Sequence, residues 1–130
     1  MAEAPTPTTI SIVVPCFNEE FNVPELAERV LAMLDRGGLT GELLLVDDGS
    51  QDRTRQVIEE HERRHPGQVV GCYHGVNRGI AAAWKTGTAR ARGRYVVIID
   101  ADLQYQPEDI LRLHRTLIEA SVDVGLIDAR

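Results

Sequence analysis

Short apolar runs alternate with longer stretches of helical period along this chain, and the alternation restricts the folds that it can adopt. The short runs are rich in Val, Ile and Leu and occupy residues 10–14, 42–46, 69–73, 95–99 and 122–127. Between them, apolar residues recur three and four positions apart over residues 24–35, 52–65, 79–92 and 107–120. Successive strand and helix units of this kind predict an α/β fold with a Rossmann-like, open and mostly parallel sheet flanked by helices.

Special residues set the expected ends of these elements. Pro15 should close the first strand, because proline cannot donate to a sheet ladder. Pro24 suits the first turn of a helix, and Ser50 or Asp52 would cap the amino end of the second helix. Gly87 should weakly interrupt the third helix in its middle, since glycine is a weak helix former.

Length and charge narrow the class of protein. The chain has 130 residues, which is enough for one hydrophobic core. We expect a mobile leader over residues 1–9, which are rich in Pro, Thr and Ala, and one domain over residues 10–130. The net charge is −6 and the basic residues are scattered among acids, so binding to nucleic acid is disfavoured.

The chain shows no signal peptide and no apolar run near the roughly 20 residues needed to span a bilayer. We therefore expect a cytoplasmic protein, whose contact with a membrane would be peripheral and at the inner face. Cys16 and Cys72 lack the spacing of zinc ligands and are interpreted as buried, reduced thiols. An exposed edge at the fifth strand would allow pairing into a homodimer.

Polar residues follow each of the first four predicted strands. They occupy residues 15–19, 47–50, 74–79 and 100–104. In open sheets of parallel strands, ligands bind outside the carboxyl ends of the strands. The sequence therefore predicts one ligand site, built from acids and amides at a single edge of the sheet.

The sharpest of these segments is Asp100-Ala-Asp102, which ends a fully apolar strand. Two carboxylates there would be costly to bury unless a cation or hydrogen-bond donors compensate them. Mg²⁺ and Mn²⁺ prefer carboxylate oxygens and keep positions open for phosphate oxygens, so the pair would bridge the protein to a diphosphate. Gln104 would add an oxygen ligand. The alternative is a solvated turn in which Asp102 caps a helix.

A second acid pair, Asp47-Asp48, precedes Gly49, which permits a tight turn close to a ligand. A carboxylate there would accept the imino proton of a uracil or guanine ring, or the segment would be an ordinary turn. Glu19 is a weaker candidate, with a plain surface glutamate as its alternative. Arg78 and Lys85 would lend positive charge to a diphosphate, or be solvated cations. The four histidines share no ligand spacing, and we assign them no chemistry.

These segments, in this order, resemble the inverting family 2 glycosyltransferases, which have a GT-A type nucleotide-sugar-binding fold. The resemblance covers residues 10–130 and rests on residues 15–19, on 46–50 followed by Asp52 and Thr54, on 77–79 and on 100–104. The run 100–104 followed by Pro107-Glu108 is similar to the branch that moves a sugar onto a polyprenyl or dolichyl phosphate.

The resemblance implies roles for single residues. The nucleoside would be lined by Pro15, Phe17, Glu19, Val46 and Asp48. The diphosphate would meet Asp100, Ala101 and Asp102, of which Asp100 and Asp102 form the catalytic pair. The metal, Mg²⁺ or Mn²⁺, would be held by Asp102 and Gln104. Arg130 would contact the donor, because it echoes an arginine of that branch with a shift of one residue.

The implied reaction is a metal-dependent, inverting transfer of a sugar from a UDP- or GDP-sugar to a lipid phosphate. A phosphate acceptor is already anionic and needs no general base, whereas a hydroxyl acceptor does. Family members continue beyond this point, so we interpret the chain as the donor-binding half, truncated at its C-terminus, and its activity alone stays open.

Three alternatives remain. The chain would bind a nucleotide sugar without transferring it, or would use a polysaccharide or a small hydroxylated acceptor. A phosphoacceptor signalling domain is disfavoured, because such domains carry their acids after the first and third strands rather than after the second and fourth.

Overall fold

The computed structural model describes residues 8–104, 106–119 and 126–128, with side chains described up to residue 116. Five strands alternate with four helices in these ranges. In chain order they are β1 (Ile10–Cys16), α1 (Val23–Arg36), β2 (Gly41–Asp48), α2 (Thr54–Arg64), β3 (Val69–His74), α3 (Ile80–Arg90), β4 (Tyr95–Ile98), α4 (Asp109–Glu119) and β5 (Leu126–Asp128). The predicted α/β class is confirmed.

All pairings within the sheet are parallel, and the strand order is β3-β2-β1-β4-β5. The chain therefore builds outward from β1 to β3 and then crosses back to place β4 on the other side of β1. This crossing creates a switch point between β1 and β4, where loops diverge and leave a crevice.

Alternate side chains of the strands enter two separate apolar cores. One core gathers Ile12, Val14 and Leu45 with buried residues of α1, α2 and α4. The other gathers Val13 and Val46 beneath α3. Because both faces are covered, the strands read as nearly continuous apolar runs, as expected for a parallel sheet.

The amino edge of the sheet is closed by a buried acid. Glu42 is only 1% exposed, yet its carboxylate accepts hydrogen bonds from Ser11 Oγ at 2.6 Å and from Arg92 Nε at 3.0 Å. The backbone N–H of Arg92 donates to the same carboxylate at 2.6 Å. The amino edge is thus tied together by its own side chains, which leaves the carboxyl edge for a ligand.

Two expected element ends differ from the structure. β1 does not stop before Pro15 but continues to Cys16. The β1–β4 ladder ends at Val13, so Pro15 pairs on one side of β1 alone, as a proline on an edge strand does. The first seven residues of the predicted leader lie outside the described residues. Thr8 and Thr9 accept backbone hydrogen bonds from Arg94 and Tyr95, so the chain joins the sheet before residue 10.

Gly87 does not interrupt α3, which runs unbroken from Ile80 to Arg90. The residue is buried, and a Cβ at this position would lie 2.3 Å from Val13 Cγ1 and 3.2 Å from Val46 Cγ2. Glycine is required here because α3 packs directly onto β1 and β2, and not because the helix bends.

Gly87→Ala should lower the free energy of unfolding by about 1–3 kcal/mol, the usual cost of overpacking a core. Helix propensity alone would favour alanine by about 1 kcal/mol, so the sign of the change is diagnostic. The neighbouring exposed substitution Thr88→Ala is the matched control and should be neutral or slightly stabilising. Urea unfolding followed by circular dichroism measures both, and a Gly87→Ala variant as stable as wild type would contradict the close packing.

Candidate functional site

A cleft of about 410 Å³ opens at the carboxyl edge of the sheet, at the switch point between β1 and β4. Four segments form it: the end of β1, the end of β2, the loop before α3 and the segment after β4. Its lining residues are Pro15, Cys16, Phe17, Glu19, Asp48, Asn77, Gly79, Ile80, Asp100, Ala101 and Asp102. Parallel strands thus bring together segments that are far apart in the sequence.

Most of the residues singled out in the sequence meet in this cleft. Seven of them line it, namely Pro15, Phe17, Glu19, Asp48, Asp100, Ala101 and Asp102. Asp48 and Asp102 therefore share one cavity, although 54 positions separate them in the printed chain.

The other candidates are not among the described lining residues. Val46 is fully buried in the core beneath α3 and is not among the lining residues. Gln104 is exposed outside the lining, and its backbone N–H donates to Asp102 Oδ1 at 3.2 Å. Arg130 lies outside the described residues. Neither Arg78 nor Lys85 lines the cleft, and both side chains are exposed.

The Asp48 side chain accepts three hydrogen bonds at the end of β2. It is 4% exposed, and its Oδ1 accepts hydrogen bonds at 2.8 Å from the backbone N–H of Arg78 and from His74 Nδ1. The backbone N–H of Gly79 donates to Oδ2 at 3.0 Å. The carboxylate that ends β2 therefore anchors the loop that leads into α3.

These contacts set the charge state of Asp48. Burial by itself would raise the pKa of this carboxyl, but the hydrogen bonds from His74, Arg78 and Gly79 outweigh burial and hold the pKa below its ordinary value of 3.8. Asp48 is consequently a carboxylate at neutral pH, so its oxygens accept hydrogen bonds and donate none.

His74 has no metal-ligand spacing in the sequence, yet in the structure it contacts the cleft residue Asp48. Its Nε2 contacts Thr86 Oγ1 in α3 at 2.8 Å, while Nδ1 contacts Asp48. The signal lay in the strand register, because Asp48 and His74 are directly paired at the ends of β2 and β3. A search for metal-ligand spacing along the sequence could not detect a partner on the adjacent strand.

Side chains near the start of α2 hold the loop after β1 in place. The hydroxyl oxygen of Ser50 accepts from the backbone N–H of Asn18 at 2.9 Å, and the hydroxyl of Thr54 accepts from that of Glu19 at 2.8 Å. Asp52 accepts from the N–H of Glu20 at 3.4 Å and from the N–H of Thr54 at 2.9 Å. Neither Ser50 nor Asp52 is the N-cap of α2, a position that Arg53 occupies.

Gly49 lets the two middle loops pack together. Its φ of +73° favours glycine, and a Cβ there would lie 2.4 Å from the backbone N of Asn77. Asn77 Nδ2 also donates to the backbone carbonyl of Asp48 at 3.2 Å. The turn after β2 therefore supports the wall formed by the loop before α3.

Cys16 lies in the wall of the cleft as a neutral thiol. Burial raises its pKa well above the usual range, and the charges of Glu19 and Asp47 raise it further. Its Sγ donates to the carbonyl of Val14 at 3.4 Å. Cys16 and Cys72 are both buried and free, which confirms the expectation of reduced thiols.

The donor set at the end of β4 suits a hard cation but does not form a complete site. Asp100 is half-buried and Asp102 exposed, and both line the cleft. Within the described ranges, no three His, Cys, Asp or Glu side chains are placed to hold a metal ion together. Carboxylates remain the oxygen ligands that Mg²⁺ and Mn²⁺ prefer, and both ions commonly complete their coordination with water and substrate phosphate.

Comparison with known proteins agrees with this architecture. The family model described as Glycosyl transferase family 2 matches residues 11–129. The undecaprenyl-phosphate 4-deoxy-4-formamido-L-arabinose transferase of Shewanella sediminis is 39% identical over 118 residues, which cover 91% of this chain and 36% of the relative. The Edwardsiella ictaluri protein of the same name is 37% identical over 127 residues, which cover 98% of this chain and 39% of the relative. The chain thus spans little more than a third of these relatives.

Solved structures show the same fold. Staphylococcus aureus TarS in complex with UDP-GlcNAc superposes with a TM-score of 0.69 at 26% identity, covering 87% of this chain and 32% of that one. The mannosyltransferase PcManGT of Pyrobaculum calidifontis, in complex with GDP-Man and Mn²⁺, gives a TM-score of 0.68 at 27% identity, covering 82% and 32%. Among the described residues of this chain, no helix is long and apolar enough to cross a membrane.

The lowered pKa of Asp48 predicts a specific loss of stability in acid. A carboxyl whose folded pKa lies below its unfolded value contributes fully above about pH 4, and this contribution is lost as pH falls through the folded pKa. The free energy of unfolding of wild type should therefore fall more steeply below pH 4 than that of Asp48→Asn.

Urea titrations at stepwise pH values measure this difference. Asp35→Asn, at an exposed acid near the end of α1, is the control and should keep the wild-type slope. Parallel curves for wild type and Asp48→Asn would show that the network does not favour the ionised carboxyl.

Proposed function

Because the chain belongs to glycosyl transferase family 2, we propose that its cleft holds a UDP- or GDP-sugar and that the sugar is transferred to a polyprenyl phosphate. The donor would lie across the switch point of the sheet, where α/β folds bind their ligands. The transfer itself remains a proposal, since the chain spans little more than a third of these relatives.

One observation supports a metal-assisted donor above all: the cleft is acidic. Glu19, Asp48, Asp100 and Asp102 line it, and no Lys or Arg is among its described lining residues. A diphosphate would be repelled from such a cleft unless a cation accompanied it. A divalent metal held by the Asp100–Asp102 segment would remove this repulsion.

We propose Asp102 as the main metal ligand from the protein, with Gln104 as a further oxygen donor and the diphosphate completing the coordination. When bound, Mg²⁺ or Mn²⁺ would stabilise the negative charge that grows on the departing nucleoside diphosphate. PcManGT, whose structure contains GDP-Man and Mn²⁺, shares the fold at 27% identity and so supports divalent metal use.

The nucleoside would occupy the opposite end of the cleft, between the loop after β1 and the end of β2. Phe17 is 44% exposed and Ile80 is 48% exposed, and both line the cavity. Two exposed apolar side chains beside the carboxylates of the cleft suit a planar base with polar edges. Asp48 would accept a base N–H there, through acceptor capacity that its three protein donors leave.

The acceptor proposal rests on the relatives, which are named as undecaprenyl-phosphate sugar transferases. A lipid phosphate carries its own negative charge and attacks the sugar without a protein base. The described cleft accordingly needs to supply donor binding and leaving-group stabilisation, both of which fit an acidic, metal-dependent site.

Asp102→Asn should abolish the Mn²⁺-dependent part of UDP or GDP binding, because an amide is a much weaker ligand for a hard cation than a carboxylate. Asp109→Asn, at an exposed acid in the first turn of α4, is the matched control and should bind as wild type does. Calorimetry with and without Mn²⁺ measures both. Equal Mn²⁺-dependent affinity for wild type and Asp102→Asn would refute the assigned role.

A further inference from the structure

We propose that His74 is a positioning residue for the nucleotide site, which fixes the Asp48 carboxylate and, through it, the loop that forms one wall of the cleft. The inference rests on the proposed nucleotide binding and adds a residue to it. His74 itself does not line the cleft. It contacts Asp48 at the end of β2 and Thr86 in α3.

The geometry ties three elements at one point. His74 ends β3 and is 7% exposed, with Nδ1 at 2.8 Å from Asp48 Oδ1 and Nε2 at 2.8 Å from Thr86 Oγ1. The imidazole thus spans from the end of β2 to the middle of α3. A ring held at both nitrogens cannot rotate, so its hold on Asp48 has a fixed direction.

The contacts also determine which nitrogen carries the proton. Asp48 is ionised at neutral pH and only accepts, so Nδ1 of His74 must donate to it. In the neutral imidazole Nε2 is then the acceptor, and the Thr86 hydroxyl donates to it. The structure therefore assigns a proton to Nδ1 of His74.

The hydrogen-bond donors to Asp48 determine which of its two oxygens remains available to a ligand. Oδ1 of Asp48 receives two hydrogen bonds, from His74 and Arg78, while Oδ2 receives one, from Gly79. His74 therefore keeps one oxygen occupied and leaves acceptor capacity on the other. Without His74, the carboxylate could rotate and the N–H groups of Arg78 and Gly79 would lose their fixed partner.

Loss of the His74 contacts would displace the loop before α3 as well as the Asp48 carboxylate. Asn77, Gly79 and Ile80 line the cleft, and their loop is attached to β2 through Asp48. We therefore expect substitution of His74 to weaken binding of a nucleoside more than binding of a bare diphosphate, which meets the Asp100–Asp102 segment.

The test compares three variants of the whole chain by calorimetry with Mn²⁺, using UDP, GDP and inorganic pyrophosphate as probes. His74→Leu removes both contacts and should weaken binding of the preferred nucleotide roughly tenfold to a hundredfold, as expected for lost hydrogen bonds to a charged group. Pyrophosphate affinity should change less than threefold. His74→Asn keeps an amide donor near the position of Nδ1 and should restore nucleotide affinity to within about threefold of wild type.

His114→Leu is the matched control. This histidine is also 7% exposed, but it packs against the Tyr95 ring at 5.3 Å and lies away from the cleft. The variant should keep wild-type nucleotide affinity. A spectroscopic check is independent of affinity, since long-range ¹H–¹⁵N spectra of wild type should show His74 protonated at Nδ1.

The outcomes separate this inference from the proposed function. If wild type binds neither nucleotide with Mn²⁺, the proposed function fails and the role of His74 fails with it. If wild type binds but His74→Leu binds equally well, or loses pyrophosphate to the same extent, the positioning role alone is overturned. An Nε2–H tautomer, or an equal loss of nucleotide affinity in His114→Leu, would overturn it too.

Discussion

The parallel direction of all five strands is the constraint on which the rest of the structure depends. Parallel pairing aligns the carboxyl ends of β1, β2, β3 and β4, and the strand order reverses between β1 and β4. Polar groups that follow these strands therefore lie close together in space, whatever their separation in the chain. The cleft is therefore a consequence of topology, and the loops only decide its chemistry.

Hydrogen bonds between the loops that follow the strands hold these loops in place around the cleft. Side chains at the start of α2 accept the N–H groups of the loop after β1, and Asp48 accepts those of the loop before α3. The opposite edge is closed by Glu42 and Arg92. An acid that follows a strand thus serves as scaffold, and Asp48 does so while it also lines the cleft.

The sequence predicted the fold class, the parallel sheet and the convergence of the acids after β2 and β4, because strand period and strand-end polarity are local signals. It failed where a role depends on the neighbouring strand or layer. His74 was passed over because its partners, Asp48 and Thr86, lie 26 and 12 residues away.

Gly87 was expected to weaken its helix, but it is the position at which α3 contacts the sheet, since Val13 lies directly against it. The nucleoside role that the resemblance implies for Val46 stays a prediction, and its side chain lies in the core beneath α3.

We propose that acids from separate strands gather a cation and a diphosphate at one edge of the sheet. Paramagnetic broadening by Mn²⁺ in the presence of UDP or GDP tests it most directly, because the loss of amide signals maps the ion within the protein. Broadening should centre on Ala101 and Asp102 and extend to Gly79, while the signals of Glu42 and Gly67 at the amino edge stay sharp. Broadening centred on the amino edge, or spread evenly over the surface carboxylates, would contradict it.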